Sequence, residues 1–166
     1  MEIGCGHGIY VNHALKHIGD AGTIDVLDIS ETSIYLAQNI LKAVNPKSHS
    51  KVKFTTGDVT TYKTDKQYGF IGMGEVLEHV DNPRAVLSNL RSLLADDGRL
   101  FMTTCANCPT IDHVYLFHNI DEIRKMVVEQ GLAIEKEIVV PSENKSDDYL
   151  EKHKVDISYG AILKKG

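Results

Sequence analysis

The residues with the most chemical potential are grouped in Gly74-Glu75-Val76-Leu77-Glu78-His79-Val80. Glu75, Glu78 and His79 stand at i, i+3 and i+4, a spacing that on a helix turns all three side chains to one face. Two carboxylates that close repel each other unless a cation sits between them. Carboxylate oxygens and an imidazole nitrogen suit Mg, Mn, Fe, Co or Zn, and one further histidine would complete the set. Candidates for it are His113 and His118, in Ile111-Asp112-His113-Val114-Tyr115-Leu116-Phe117-His118. Without a metal, His79 or His113 could serve as a general base, since imidazole titrates near working pH.

A second group lies at the start of the chain. Glu2-Ile3-Gly4-Cys5-Gly6-His7-Gly8 precedes a helix expected over Ile9–Ile18. Glycines let the backbone turn sharply and approach a ligand, and a helix amino end presents free N–H groups. Asp28 ends the next strand, twenty residues after Gly8, where a carboxylate can accept ribose hydroxyls. A dinucleotide fold would place its third glycine where Ile9 stands, which disfavours a nicotinamide oxidoreductase. Glu2 instead suits a cationic ligand that carries an amino group.

These groups need a scaffold, and the sequence alternates in a way that supplies one. Strands are expected over Thr23–Ile29, Val52–Thr56, Phe70–Met73, Leu100–Thr104, Ile134–Val140 and Ile157–Leu163. Helical periodicity fills Ser33–Val44 (Ile34, Ala37, Ile40, Leu41, Val44), Pro83–Leu94 (Val86, Leu87, Leu90, Leu93, Leu94) and Ile120–Gly131 (Ile123, Met126, Val127). Asp81 or Asn82 can cap the helix that starts at Pro83, and Gly98 and Gly131 read as helix ends. Strands alternating with helices define an α/β, doubly wound, mostly parallel sheet. The polar Ser142–Lys154 stretch lacks an apolar stripe and reads as a loop joining an antiparallel final pair. The glycine turn begins so early that the first strand is nearly absent. The expectation is therefore a single domain over residues 1–166, preceded in the full protein by a further amino-terminal segment.

Composition is ordinary for a globular domain: 166 residues, 42% hydrophobic, 25% charged, formal net charge −5. No apolar run approaches the ~20 residues of a bilayer span. Three cysteines cannot all pair within one chain, so a reducing cytoplasm is expected. The acidic balance argues against nucleic acid as a partner. Cys105-Ala106-Asn107-Cys108 lacks a second cysteine pair, and these residues read as small apolar side chains of a loop. His13 and His17 read as helix surface, and Lys42, Lys47, Lys51 and Lys53 as a cluster remote from the reactive groups.

Taken together, the chain resembles the class I S-adenosylmethionine-dependent methyltransferases along its length. Glu2–Gly8 is similar to their first motif, with Glu2, Gly4 and Gly6 around the methionine part of the cofactor. The resemblance gives Asp28 the ribose, Ile29 the adenine, and Asp58 and Val59 of Gly57-Asp58-Val59 the adenine edge. It places Glu75 at the end that faces the transferred methyl and implies a sheet order of 3-2-1-4-5-7-6 with the last strand antiparallel. The Glu-x-x-Glu-His pattern is similar to that of metal-dependent O-methyltransferases, among them enzymes acting on small-RNA 3′ ends and on ubiquinone precursors, and it favours His113 as the fourth ligand. What the resemblance implies is O-methylation of a small-molecule acceptor, with RNA 2′-O-methylation or a metal-independent N- or C-methylation as alternatives. A non-catalytic module that keeps the fold is the reading from another class.

Overall fold

The computed structural model describes residues 1–18 and 22–166. The elements in chain order are β1 (Glu2–Ile3), α1 (Ile9–Ala14), β2 (Ile24–Asp28), α2 (Glu31–Val44), β3 (Val52–Thr56), β4 (Tyr68–Gly74), α3 (Pro83–Leu93), β5 (Leu94–Ala106), α4 (Ile120–Glu129), β6 (Leu132–Pro141), α5 (Asp147–His153) and β7 (Ile157–Lys165). Short 3-10 turns occupy His49–Lys51 and Leu77–His79. The seven strands are ordered β3-β2-β1-β4-β5-β7-β6, the expected Rossmann-like order. Among the described residues no helix is long and apolar enough to cross a membrane. The chain divides into two compact units, Met1–Asp65 and Lys66–Gly166.

In the first unit β1 and β3 run parallel to β2 on either side, and all five residues of β2 are buried. The apolar stripe of α2 packs down through Ile34, Ala37 and Leu41, joining Cys5, Val11, Ile24 and Val26 in the core. Val44, expected on the same face, is exposed because it stands at the last turn. Ser30 caps α2 by accepting the Ser33 amide at 3.2 Å. The first helix is shorter than the expected Ile9–Ile18: it ends at Ala14, and turn-type bonds from Lys16 to His13 and from His17 to Ala14 follow.

In the second unit β4 runs parallel to β5, while β7 is antiparallel to both β5 and β6. The stripe of α3 is fully sequestered, with Val86, Leu87, Leu90 and Leu93 each at most 3% exposed. Asn82, not Asp81, is the cap: its Oδ1 accepts the Ala85 amide at 3.1 Å, with Pro83 opening the helix. Gly131, at φ 71°, follows α4 as expected.

Two expectations are corrected here. Strand β5 begins at Leu94, directly after α3, so Gly98 lies within the strand and does not end the helix. A register shift between Tyr68 and Phe70 absorbs the extra residues. The Ser142–Lys154 stretch also contains a helix, α5, which anchors through the buried Leu150. One buried apolar residue in two turns, beside an exposed Tyr149, is too little to register as a stripe.

Candidate active site

The glycine turn follows directly from backbone geometry. Gly4, Gly6 and Gly8 have φ of 70°, 50° and 84°, the left-handed region that side chains disfavour. Gly4 donates its amide to the Leu27 carbonyl at 2.9 Å, and Gly8 donates to the Cys5 carbonyl at 2.7 Å, closing the turn before α1. A Cβ on Gly8 would meet the Ala37 Cβ at 3.3 Å, whereas one on Gly6 would meet nothing within 4 Å. So Gly8 is required by helix packing, and Gly6 faces open space.

Acidic groups flank this turn. Asp28, at the end of β2, accepts the Gly6 amide through Oδ2 at 3.2 Å and the Ser30 amide through Oδ1 at 2.8 Å. Both oxygens keep lone pairs for further donors. Glu2 is 4% exposed, and both of its carboxylate oxygens are buried with no hydrogen-bond partner. Burial pushes its carboxyl up to about 7, with the Asp28 charge adding. Burial likewise pushes the Cys5 thiol up to about 12. Ile29 is 73% exposed, an apolar side chain left open at the strand end. After β3, the Asp58 Oδ1 accepts the amide and hydroxyl of Thr60, both at 2.7 Å, and Val59 is buried.

In the second unit the chain leaves β4 through Glu75, a non-glycine residue at φ 51°. Glu75–His79 does not form the helix on which its spacing would turn all three side chains to one face. Glu75 sits in the left-handed region, and Leu77–His79 is a single 3-10 turn. The side chains are gathered by a different route. Glu78 is buried; its Oε2 accepts the Thr104 hydroxyl at 2.7 Å, while Oε1 has no partner. Burial, reinforced by Glu75, holds the Glu78 carboxyl above its usual range against the pull of its own amide and Thr104. His79 Nδ1 donates to the Asp112 carbonyl at 2.8 Å, and His113 Nδ1 donates to the Cys108 carbonyl at 2.6 Å. A carbonyl only accepts, so each neutral ring keeps its lone pair on Nε2. The two rings meet edge to face with centroids 4.9 Å apart.

Glu78, His79 and His113 can each offer one ligand atom, those atoms all within 4.8 Å of one another. Glu75 joins Glu78 and Cys105 in a second such group, and Cys105, Cys108 and His113 form a third. His118 belongs to none of these groups among the described residues; its amide donates to Glu122 instead. Thr104 and the Asp112 carbonyl were not legible in sequence, since a strand hydroxyl and a backbone oxygen carry no motif. Beside the cysteine-bearing turn, Asn107 and His118 line a cavity of about 820 Å³ with Arg124, Val139, Leu150 and Lys154.

The fold and the glycine turn with its strand-end acid define a Rossmann-like α/β domain. The chain matches the family model described as "Methyltransferase domain" over residues 1–100, and it belongs to that family. It is 32% identical over 108 residues to a malonyl-[acyl-carrier protein] O-methyltransferase of Halalkalibacterium halodurans, a match covering 63% of this chain and 38% of that protein. It is 26% identical over 111 residues to a mitochondrial ubiquinone biosynthesis O-methyltransferase of Dictyostelium discoideum, covering 63% and 34%. The match thus spans less than half the length of these relatives. Among solved structures, the N-methyltransferase NodS of Bradyrhizobium japonicum, in complex with S-adenosyl-L-homocysteine, aligns with a TM-score of 0.75 at 16% identity, covering 99% of this chain and 76% of that one. At that identity the likeness concerns the fold.

Proposed function

We propose that the chain is an S-adenosylmethionine-dependent O-methyltransferase that acts on a hydroxyl of a small molecule, with a divalent cation at Glu78, His79 and His113. The observation that carries this reading is Glu2, a buried carboxylate with both oxygens unpaired immediately before the glycine turn. A buried carboxylate without partners is costly, and a ligand ammonium would satisfy it. In this reading Glu2 holds the amino group of the methionine part and Gly6 leaves room for the ligand. Asp28 accepts the ribose hydroxyls, and Ile29, Asp58 and Val59 surround the base. When bound, S-adenosylmethionine would supply an electrophilic methyl group on a sulfonium sulfur, and an acceptor hydroxyl would have to give up its proton, to water or to a free imidazole Nε2, as its oxygen takes that methyl.

The residues of the second unit fit a cation: Glu78 has an unpaired buried oxygen, and both imidazoles are fixed in the tautomer that frees Nε2. Glu75 can add a further oxygen. A divalent ion at this position supplies Lewis acidity that lowers the pKa of an acceptor hydroxyl. Two relatives named as O-methyltransferases support oxygen as the acceptor atom.

The test is a thermal-shift titration with S-adenosylhomocysteine, run with manganese and again with chelator. Ligand that binds the native state alone raises the melting temperature. The expected result is a shift that Glu2→Gln abolishes and that manganese enlarges in wild type but not in His79→Ala. No shift with S-adenosylhomocysteine would sink the donor reading. A shift indifferent to manganese would remove the metal and leave Nε2 of His79 or His113 as the proton acceptor.

A further inference from the structure

We propose that Cys105, Cys108 and His113 form a site for a thiophilic divalent ion such as Zn²⁺, separate in chemistry from the carboxylate-rich cluster beside it. The sequence alone reads the two cysteines as loop residues because no second cysteine pair follows. The fold supplies a third ligand that linear spacing hides. Strand β5 ends at Ala106, and Asn107 adopts φ 54°, a left-handed turn that asparagine tolerates better than most residues. Its amide is tied to the Phe117 carbonyl at 2.8 Å, which fixes the turn between the two thiols. The chain then returns through a bond from the His113 amide to the Thr110 carbonyl at 3.2 Å, bringing the imidazole back to the cysteines.

One ligand atom from each of the three residues lies within 4.8 Å of the others, and Cys105 Sγ is 3.9 Å from His113 Nδ1. A tetrahedral ion with ordinary Zn–S and Zn–N bonds holds sulfur and nitrogen roughly 3.6 Å apart, close to the Cys105–His113 distance, and loading requires the His113 Nδ1 to leave the Cys108 carbonyl that it now bonds at 2.6 Å. Binding releases one proton from each thiol, and the His113 proton moves from Nδ1 to Nε2. Three protein ligands leave the fourth position open, where Glu75 or Glu78, grouped with Cys105, can supply an oxygen. A neutral imidazole has one lone pair, so His113 serves one ion at a time: an ion on the thiols takes it from Glu78 and His79. The site itself does not depend on the methyltransferase reading.

The experiment titrates metal-free protein, kept under reductant, with Co²⁺ as a spectroscopic stand-in and then with Zn²⁺. The expected result is a thiolate-to-cobalt charge-transfer absorption that saturates at one ion per chain and is removed by one equivalent of Zn²⁺. Cys105→Ser and Cys108→Ser each abolish it. Absence of the absorption in wild type, or its survival in Cys108→Ser, overturns the proposal. A second measurement needs no variant: Zn²⁺ slows alkylation of Cys108 by iodoacetamide at least tenfold, read by peptide mass spectrometry. An unchanged rate also overturns it. Neither failure would alter the shift with S-adenosylhomocysteine, so the two readings fail separately.

Discussion

Thr104 donates its hydroxyl to Glu78 at 2.7 Å, and this is the hydrogen bond that the buried Glu78 side chain receives from strand β5. Thr104→Val keeps the shape and removes the donor. At neutral pH it should cost about 1–3 kcal/mol, the penalty for a buried polar group left unsatisfied. The folded-state pKa of Glu78 is already raised, so the stability linked to its protonated form is present below its unfolded pKa and lost as pH rises through the folded one. Removing Thr104 raises that pKa further, so the deficit of the variant should grow with pH. Urea denaturation at pH 4.5 and pH 8 checks this, and an equal deficit at both would refute it.

Glu2 makes a larger pH prediction. Its carboxyl rises from 4.5 to about 7 on folding, so the native state binds the extra proton between those values. Stability is therefore full below pH 4.5 and falls as pH rises to 7, by about 3 kcal/mol at 1.36 kcal/mol per unit. Glu2→Gln should flatten this limb of the stability profile in urea titrations. Binding of S-adenosylhomocysteine should show the opposite slope, tightening as pH rises to 7, because the ligand ammonium selects the ionised carboxylate.

The glycines of the turn separate packing from ligand approach. Gly6→Ala puts a methyl in open space and costs only the left-handed conformation, about 1 kcal/mol. Gly8→Ala carries the same strain and also presses on the Ala37 Cβ at 3.3 Å, so its melting temperature should fall further. Ligand affinity should rank differently, with Gly6→Ala losing at least tenfold because its methyl occupies the space the ligand needs. Calorimetric titration beside thermal melts tests both orders at once.

The strand–helix alternation and the faces of α3 and α4 were legible because each rests on a local signal (a β-branched run, a helical stripe, an Asn-Pro start, a glycine stop), whereas the sheet order came from the family resemblance. The errors fall where tertiary contacts override those signals. Ala95, Asp96 and Asp97 look like loop but belong to β5, in the stretch where its register against β4 shifts. Glu78 comes near both Glu75 and His79, but through a left-handed residue and a 3-10 turn instead of the helix on which their spacing would align all three. Thr104 and His113 reach the cluster from β5 and the loop after it. His113 was already a candidate ligand in the sequence, but the importance of Thr104 depends on which strand lies beside β4, and no spacing records that.

Glu75 provides the sharpest contrast between stability and function. At φ 51° a side chain costs about 1–2 kcal/mol relative to ordinary backbone, and the Glu75 carboxylate also pushes up the pKa of its buried neighbour Glu78. Glu75→Gly relieves both effects, offset in part by the greater freedom glycine has in the unfolded chain, about 0.5–1 kcal/mol. The variant should be more stable than wild type by about 1 kcal/mol in urea at neutral pH. Glu75→Gln keeps the strain and removes only the charge, so it should gain less. If Glu75 contributes to cation binding, both variants should lose part of the manganese-dependent thermal shift, although the glycine variant melts higher without ligand. A glycine variant less stable than wild type would mean that the left-handed conformation at Glu75 carries no strain and that its side chain is held for stability.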